Sequence, residues 1–126
     1  MKKHLKNFKK SVPHFDVVVD ALFGFGLNSD LRGIVKYVVD HINNIEVDVI
    51  AIDIPTGLNP DTGKPYNSCI CAYQTITLTA YKLAFLNPES EMYTGKVILE
   101  LLDAKSFHEE MLFSQPVDFK LGQNII

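Results

Sequence analysis

The sequence predicts an α/β protein with a mostly parallel sheet, and three observations carry that prediction. Two apolar, β-branched runs end in aspartates, Asp20 and Asp53. An amphipathic stretch with helical spacing lies between them. Two more strand-like runs follow, separated by chain rich in turn residues. Strand, helix and strand in this order form a βαβ unit, whose right-handed crossover makes the strands parallel and puts Asp20 and Asp53 at the same sheet edge.

In chain order, residues 1–14 are a basic lead-in with five lysines from Met1 to Lys10, ended by Pro13. A solvated segment explains the lysines better than a nucleic-acid arm does. Phe15-Asp16-Val17-Val18-Val19-Asp20-Ala21-Leu22 reads as a buried strand. The loop after it, Phe23 to Asp30, carries Gly24 and Gly26, which permit tight turns and close approach of a ligand. Residues 30–43 read as a helix, because Leu31, Ile34, Val35, Val38, Val39 and Ile42 make one apolar face. Ser29 or Asp30 would cap it, leaving backbone N–H groups that attract phosphate, and Gly33 would weaken its first turn.

A second strand over 47–52 stops at Asp53-Ile54-Pro55-Thr56-Gly57. Asn59 to Gly63 has the chemistry of successive turns. Thr75 to Thr79 alternates polar and apolar residues as a third strand, and Lys96 to Leu102 is a fourth. Ser106 to Glu109 fits a capping box, and 113–126 is a tail without clear period. Four strands and one clear helix leave one sheet face under-covered, as if this were part of a larger domain.

Length and composition narrow the function. The 126 residues fit one domain, and 47% hydrophobic with 21% charged residues can build a core. A net charge of -3 gives no global case for nucleic acid or membrane. No run reaches the roughly 18 apolar residues of a membrane helix. The two cysteines, Cys69 and Cys71, have no nearby histidine or further cysteine for zinc. Strand positions two apart face the same way, and a disulfide between them would be strained, so free thiols in a reducing, cytoplasmic setting are expected, with the mitochondrion the other compartment left open.

In open α/β sheets, ligands sit beyond the carboxyl ends of the strands. Asp53 and Thr56 stand where such a site is expected, although both residue types also cap helices and mark turns.

Five motifs stand in order. They are Val18-Val19-Asp20-Ala21-Leu22-Phe23-Gly24-Phe25-Gly26-Leu27, Ile52-Asp53-Ile54-Pro55-Thr56-Gly57-Leu58, Asp61-Thr62-Gly63, Thr77-Leu78-Thr79-Ala80-Tyr81-Lys82 and Tyr93-Thr94-Gly95-Lys96-Val97. Over residues 15–102 this order resembles the YjeF N-terminal domain family, whose enzymes are NAD(P)H-hydrate epimerases and whose eukaryotic member is also called apolipoprotein A-I binding protein. The resemblance implies a Rossmann-like three-layer αβα sandwich, usually dimeric. It implies an isomerase that interconverts the R and S forms of NADHX and NADPHX, with an S-specific dehydratase as functional partner. It also implies that Asp20 and Thr56 hold a potassium ion, and that Gly24, Phe25, Gly26, Leu27, Asn28, Ser29 and Asp30 form the substrate loop. Asp53 matches a substrate-contacting aspartate and the acid/base. Lys82 matches a family lysine, for which a structural or substrate-positioning role is expected.

Family members also carry an N-terminal half with an Asn-Asn-Gly-Gly-Asp-Gly-like loop that supplies a further potassium ligand and part of the nucleotide site. Residues 15–112 match the C-terminal half only. Thr56 stands where many members have serine, and the hydroxyl is kept. Two other readings stand beside the enzyme: a non-catalytic scaffold like the dimerisation domain of the enhancer of mRNA decapping, and a truncated fragment without function of its own. The presence of both Asp20 and Asp53 favours the enzyme.

Overall fold

The computed structural model describes residues 15–102. The lead-in 1–14, the capping box at Ser106 and the tail 113–126 lie outside them. The described chain runs β1 (Val17–Asp20), α1 (Gly33–Asn43), β2 (Asp48–Ile52), β3 (Gln74–Leu78), two 3-10 turns (Leu83–Leu86 and Pro88–Ser90), α2 (Glu91–Thr94) and β4 (Lys96–Glu100). The four strands form one wholly parallel sheet in the order β1-β2-β3-β4.

Strand order equal to chain order fixes where the connections lie. Each crossover moves one strand in the same direction, and right-handed crossovers in one direction all fall on one face. The register places Val18, Val49, Ala51 and Thr75 on a common face. Val39 and Ile42 of α1 pack there against Val49 and Ala51, joined by Ile70 and Ala72 of the β2–β3 connection. Thr75 Oγ1 donates to the carbonyl of Thr94 at 2.7 Å, so the β3–β4 connection lies on that face too.

The opposite face carries Val17, Val19, Ile50, Ile52, Ile76, Leu78 and Ile98. None of these is buried by the described residues, and Val17 and Val19 are 44% and 59% exposed. The under-covered face expected from the element count is therefore present among the described residues. The reading of β1 as a buried strand is corrected: among the described residues it is an edge strand, of which only Asp20 is buried. An apolar run reports that a residue prefers to be covered, not that a cover is present.

The start of α1 also differs from expectation. The helix begins at Gly33 with Arg32 at the cap position, and no side chain caps it. Neither Ser29 nor Asp30 does so. Gly33 has φ +56°, a left-handed conformation that suits glycine, so it starts the helix rather than weakening its first turn. Leu31 lies before the helix but remains in the core.

The cysteines do not share a strand face. They lie in the connection before β3, with Cys69 buried and Cys71 exposed, and both thiols are free. Burial raises the pKa of both thiols, and that of Cys69 strongly. No helix of the described residues is long and apolar enough to cross a membrane.

Candidate functional site

The carboxyl edge of the sheet gathers the residues that the sequence singles out. β1 ends in Asp20, and β2 delivers Asp53 one residue beyond its end. Asp20 pairs in register with Ala51, so the two aspartates leave neighbouring strands on the same edge.

Asp20 and Thr56 form one unit. The Asp20 carboxylate accepts the Thr56 backbone N–H and the Thr56 hydroxyl, each at 2.7 Å, and more weakly the Leu22 N–H at 3.4 Å. Thr56 Oγ1 in turn accepts the Phe23 N–H at 3.2 Å. Both residues are almost fully buried. Burying a carboxylate is costly unless donors meet it, and here backbone and hydroxyl donors do. The unit ties the end of β1, the start of the glycine loop and the turn after β2 together.

The glycine loop is anchored at its far end. The Tyr66 hydroxyl donates to the Leu27 carbonyl at 3.2 Å. The Asn67 side chain accepts the Leu31 N–H at 2.9 Å and donates to the Leu31 carbonyl at 3.0 Å. The Asp30 carboxylate accepts the Asn67 N–H at 3.1 Å. Between the anchors, Phe25, Gly26, Asn28 and Ser29 are exposed, Phe25 by 70%. Phe25, Pro60, Asp61, Lys82 and Leu83 line an open cleft of about 370 Å³.

Asp53 has φ +71° and Thr79 has φ +67°. Left-handed backbone is tolerable for aspartate but strained for a β-branched residue, and such strain is concentrated where a chain must aim a group. The Asp53 N–H donates to the Ile76 carbonyl at 2.7 Å, which holds this turn against β3. Oδ1 of Asp53 accepts the Leu78 N–H at 3.2 Å and, at the 3.5 Å limit, the Thr77 hydroxyl. The Lys82 ammonium lies 2.6 Å from the same oxygen, and both side chains are 15% exposed. The sequence placed Thr77 and Lys82 in one motif but did not reveal that both meet Asp53. The signal was a strand-end aspartate followed by a lysine just past the next strand, and only the pairing of β2 with β3 brings them together.

No group of three or more histidine, cysteine, aspartate or glutamate side chains able to hold a metal occurs among the described residues. Asp20 with Thr56 offers oxygen donors alone.

A parallel sheet with all its crossovers on one face, and carboxylates and a glycine loop at its carboxyl edge, defines an α/β protein of the Rossmann-like class. The crystal structure of yeast ynu0 has the same fold: it matches 83% of this chain and 43% of its own with a TM-score of 0.56 and 20% identity. The chain belongs to the family described as YjeF-related protein N-terminus, whose sequence profile matches residues 1–84. Its relatives include the NAD(P)H-hydrate epimerase of Oenococcus oeni, 37% identical over 83 residues, which are 66% of this chain and 40% of that protein. The NAD(P)H-hydrate epimerase of Lentilactobacillus buchneri is 38% identical over 86 residues, 68% of this chain and 40% of its own. The bifunctional NAD(P)H-hydrate repair enzyme Nnr of Thermosynechococcus vestitus is 35% identical over 97 residues, 77% of this chain and 19% of its own. The chain thus spans about 40% of the length of the epimerases that it matches.

Proposed function

We propose that this chain carries the acid/base part of a site that epimerises hydrated nicotinamide nucleotides, interconverting the R and S forms of NADHX and NADPHX. The observation that carries this reading is the placement of Asp53: a carboxylate at the carboxyl edge of the sheet, held by one oxygen and facing the glycine loop with the other. The names of the epimerase relatives supply the substrate class.

Inversion at C6 of the hydrated ring needs the hydroxyl to leave and water to return on the other face. Asp53 as the acid protonates the C6 oxygen; the C–O bond breaks, water departs and the ring nitrogen lone pair forms the iminium. Water then adds to the opposite face and Asp53 takes back a proton. One group serves both directions, and positioned acid/base catalysis of this kind contributes roughly 10²–10⁴-fold. The exposed loop residues Phe25, Gly26, Asn28 and Ser29 are those that would meet the nucleotide.

Asp20 and Thr56 are the residues that would hold a potassium ion. Their donor chemistry fits, because a hard cation takes oxygen ligands and would balance the buried Asp20 carboxylate. When bound, the ion would supply a fixed positive charge at the sheet edge. The reading extends to a homodimer acting with an S-specific dehydratase. It also places the protein in the cytoplasm, which the two free thiols support.

The test incubates the R hydrate of NADH with the purified chain and an S-specific dehydratase, and follows recovery of NADH. Recovery well above the spontaneous rate is expected, and Asp53→Ala is expected to remove it while leaving the circular dichroism spectrum unchanged. Recovery no faster than the spontaneous rate would overturn the reading, and full activity in the alanine variant would overturn the role of Asp53.

A further inference from the structure

The two oxygens of Asp53 have different surroundings. Oδ1 takes the Leu78 N–H, the Thr77 hydroxyl and the Lys82 ammonium. Oδ2 has no hydrogen-bond partner among the described residues and faces Gly24: a methyl group built on Gly24 would stand 3.3 Å from it. One oxygen is held and the other is presented.

Lys82 is itself held. Its ammonium donates to the carbonyls of Leu78 and Ala80, both at 3.1 Å, besides meeting Asp53. Two of the three ammonium donors go to these carbonyls, and Oδ1 of Asp53 is the ion-pair partner of the charge at 2.6 Å. Lys82 lines the cleft with Phe25 and Leu83, and its ammonium meets Leu78, Ala80 and Asp53 of the protein itself. A lysine that bound the ligand directly would not have its charge paired with a protein carboxylate and two carbonyls.

We infer that Lys82 is a positioning residue that clamps Oδ1 of Asp53 so that Oδ2 points past Gly24 at the ligand, without itself touching the ligand. This rests on the reading of Asp53 as the acid/base. The backbone of Asp53 is fixed by its N–H bond to Ile76, whereas its side chain still has two torsions. The amide of Leu78 and the weak hydroxyl contact define a direction for Oδ1, and the ammonium is the strongest of its three partners. Lys82→Met keeps the stem and removes the charge, which frees the carboxylate to rotate. A misplacement of about 1 Å costs on the order of 100-fold in rate.

The experiment compares the wild-type chain with Lys82→Met and Lys82→Arg in two ways. The first is the Hα–Hβ coupling constants of Asp53 by NMR, which need no activity. A single side-chain rotamer is expected in the wild type, an averaged one in Lys82→Met and an intermediate one in Lys82→Arg. The second is kinetics on the hydrate: kcat falls roughly 10- to 100-fold in Lys82→Met with KM little changed, and Lys82→Arg recovers part of the loss. An unaltered Asp53 rotamer in Lys82→Met overturns the inference, as does a loss confined to KM, which would mean direct contact with the ligand. Should Lys82→Met fail to fold, Lys82→Arg decides: wild-type kcat and rotamer would assign Lys82 to charge balance alone and overturn positioning. A wild-type chain without epimerase activity refutes the proposed function, and the NMR comparison still decides the clamp.

Discussion

The carboxylate of Asp20 grips Thr56 twice, through its backbone N–H and its hydroxyl, across 36 residues of chain. The backbone bond would survive loss of the hydroxyl, and the hydroxyl bond to a buried charge would not. Thr56→Val should therefore destabilise the chain by about 2–3 kcal/mol, the value of a hydrogen bond to a charged group plus an unmet acceptor, with Thr56→Ser close to wild type. Urea unfolding of both variants measures the difference.

If the same pair takes up potassium, the ion binds the folded state alone and raises its melting temperature in proportion to the logarithm of its concentration. Thermal melts in potassium against lithium chloride at equal ionic strength should show a potassium-specific rise in the wild type and none in Asp20→Asn. Equal melts in both salts would remove Asp20 and Thr56 as ion ligands.

Gly57 has φ +96°, and a Cβ there would come within 2.0 Å of the Ser68 carbonyl oxygen and 2.7 Å of Cys69 Cα. Both contacts are backbone and cannot yield. Gly57→Ala should cost more than about 3 kcal/mol, by strain and overpacking together. Gly26→Ala, with nothing within 4 Å of the added methyl, should stay within about 0.5 kcal/mol by the same assay.

The two thiols should differ in reactivity. Thiolate is the reactive form, and burial raises the pKa of both groups, that of Cys69 furthest. A maleimide should modify Cys71 in the native protein and reach Cys69 only on unfolding. Intact mass before and after denaturation counts the modified sites.

On α1, hydrogen bonds from the Lys36 ammonium and the Ser68 hydroxyl hold the Asp40 carboxyl below its ordinary value of 3.8. A depressed native pKa makes the stabilisation complete above the unfolded value, and it is lost as pH falls through the lower native value. Melting temperatures between about pH 2 and 5 should fall less steeply for Asp40→Asn than for the wild type. The difference should be small, because Lys36 and Asp40 are both well exposed and solvent screens them.

The parts of the fold that were legible in the sequence are those set by local pattern. The strands ending at Asp20 and Ile52 and the helical face of Val39 and Ile42 follow from periodicity, and their parallel pairing follows from handedness. The features that were not legible depend on what a residue meets. Nothing in Val17-Val18-Val19 says which valine is covered. Nothing near Gly33 announces its left-handed backbone, and Cys69 and Cys71 part company because their chain is not a strand. Asp20, Asp53 and Thr56 could be placed because strand ends are marked by abrupt polarity. The grip of Asp20 on Thr56 and the division of labour between the Asp53 oxygens needed the register of β1 on β2 and of β2 on β3.

Each strand of this sheet lies beside its successor in the chain, so the structure can be laid down in the order of synthesis. β2 finds its partner as soon as α1 has been made, β3 adds to a ladder already begun, and β4 closes on β3 after only the short helical turns between them. Among the described residues no strand has to wait for a distant one or be threaded between two others. Loop closure is then met in small steps, and the slow search that parallel sheets otherwise demand is shortened.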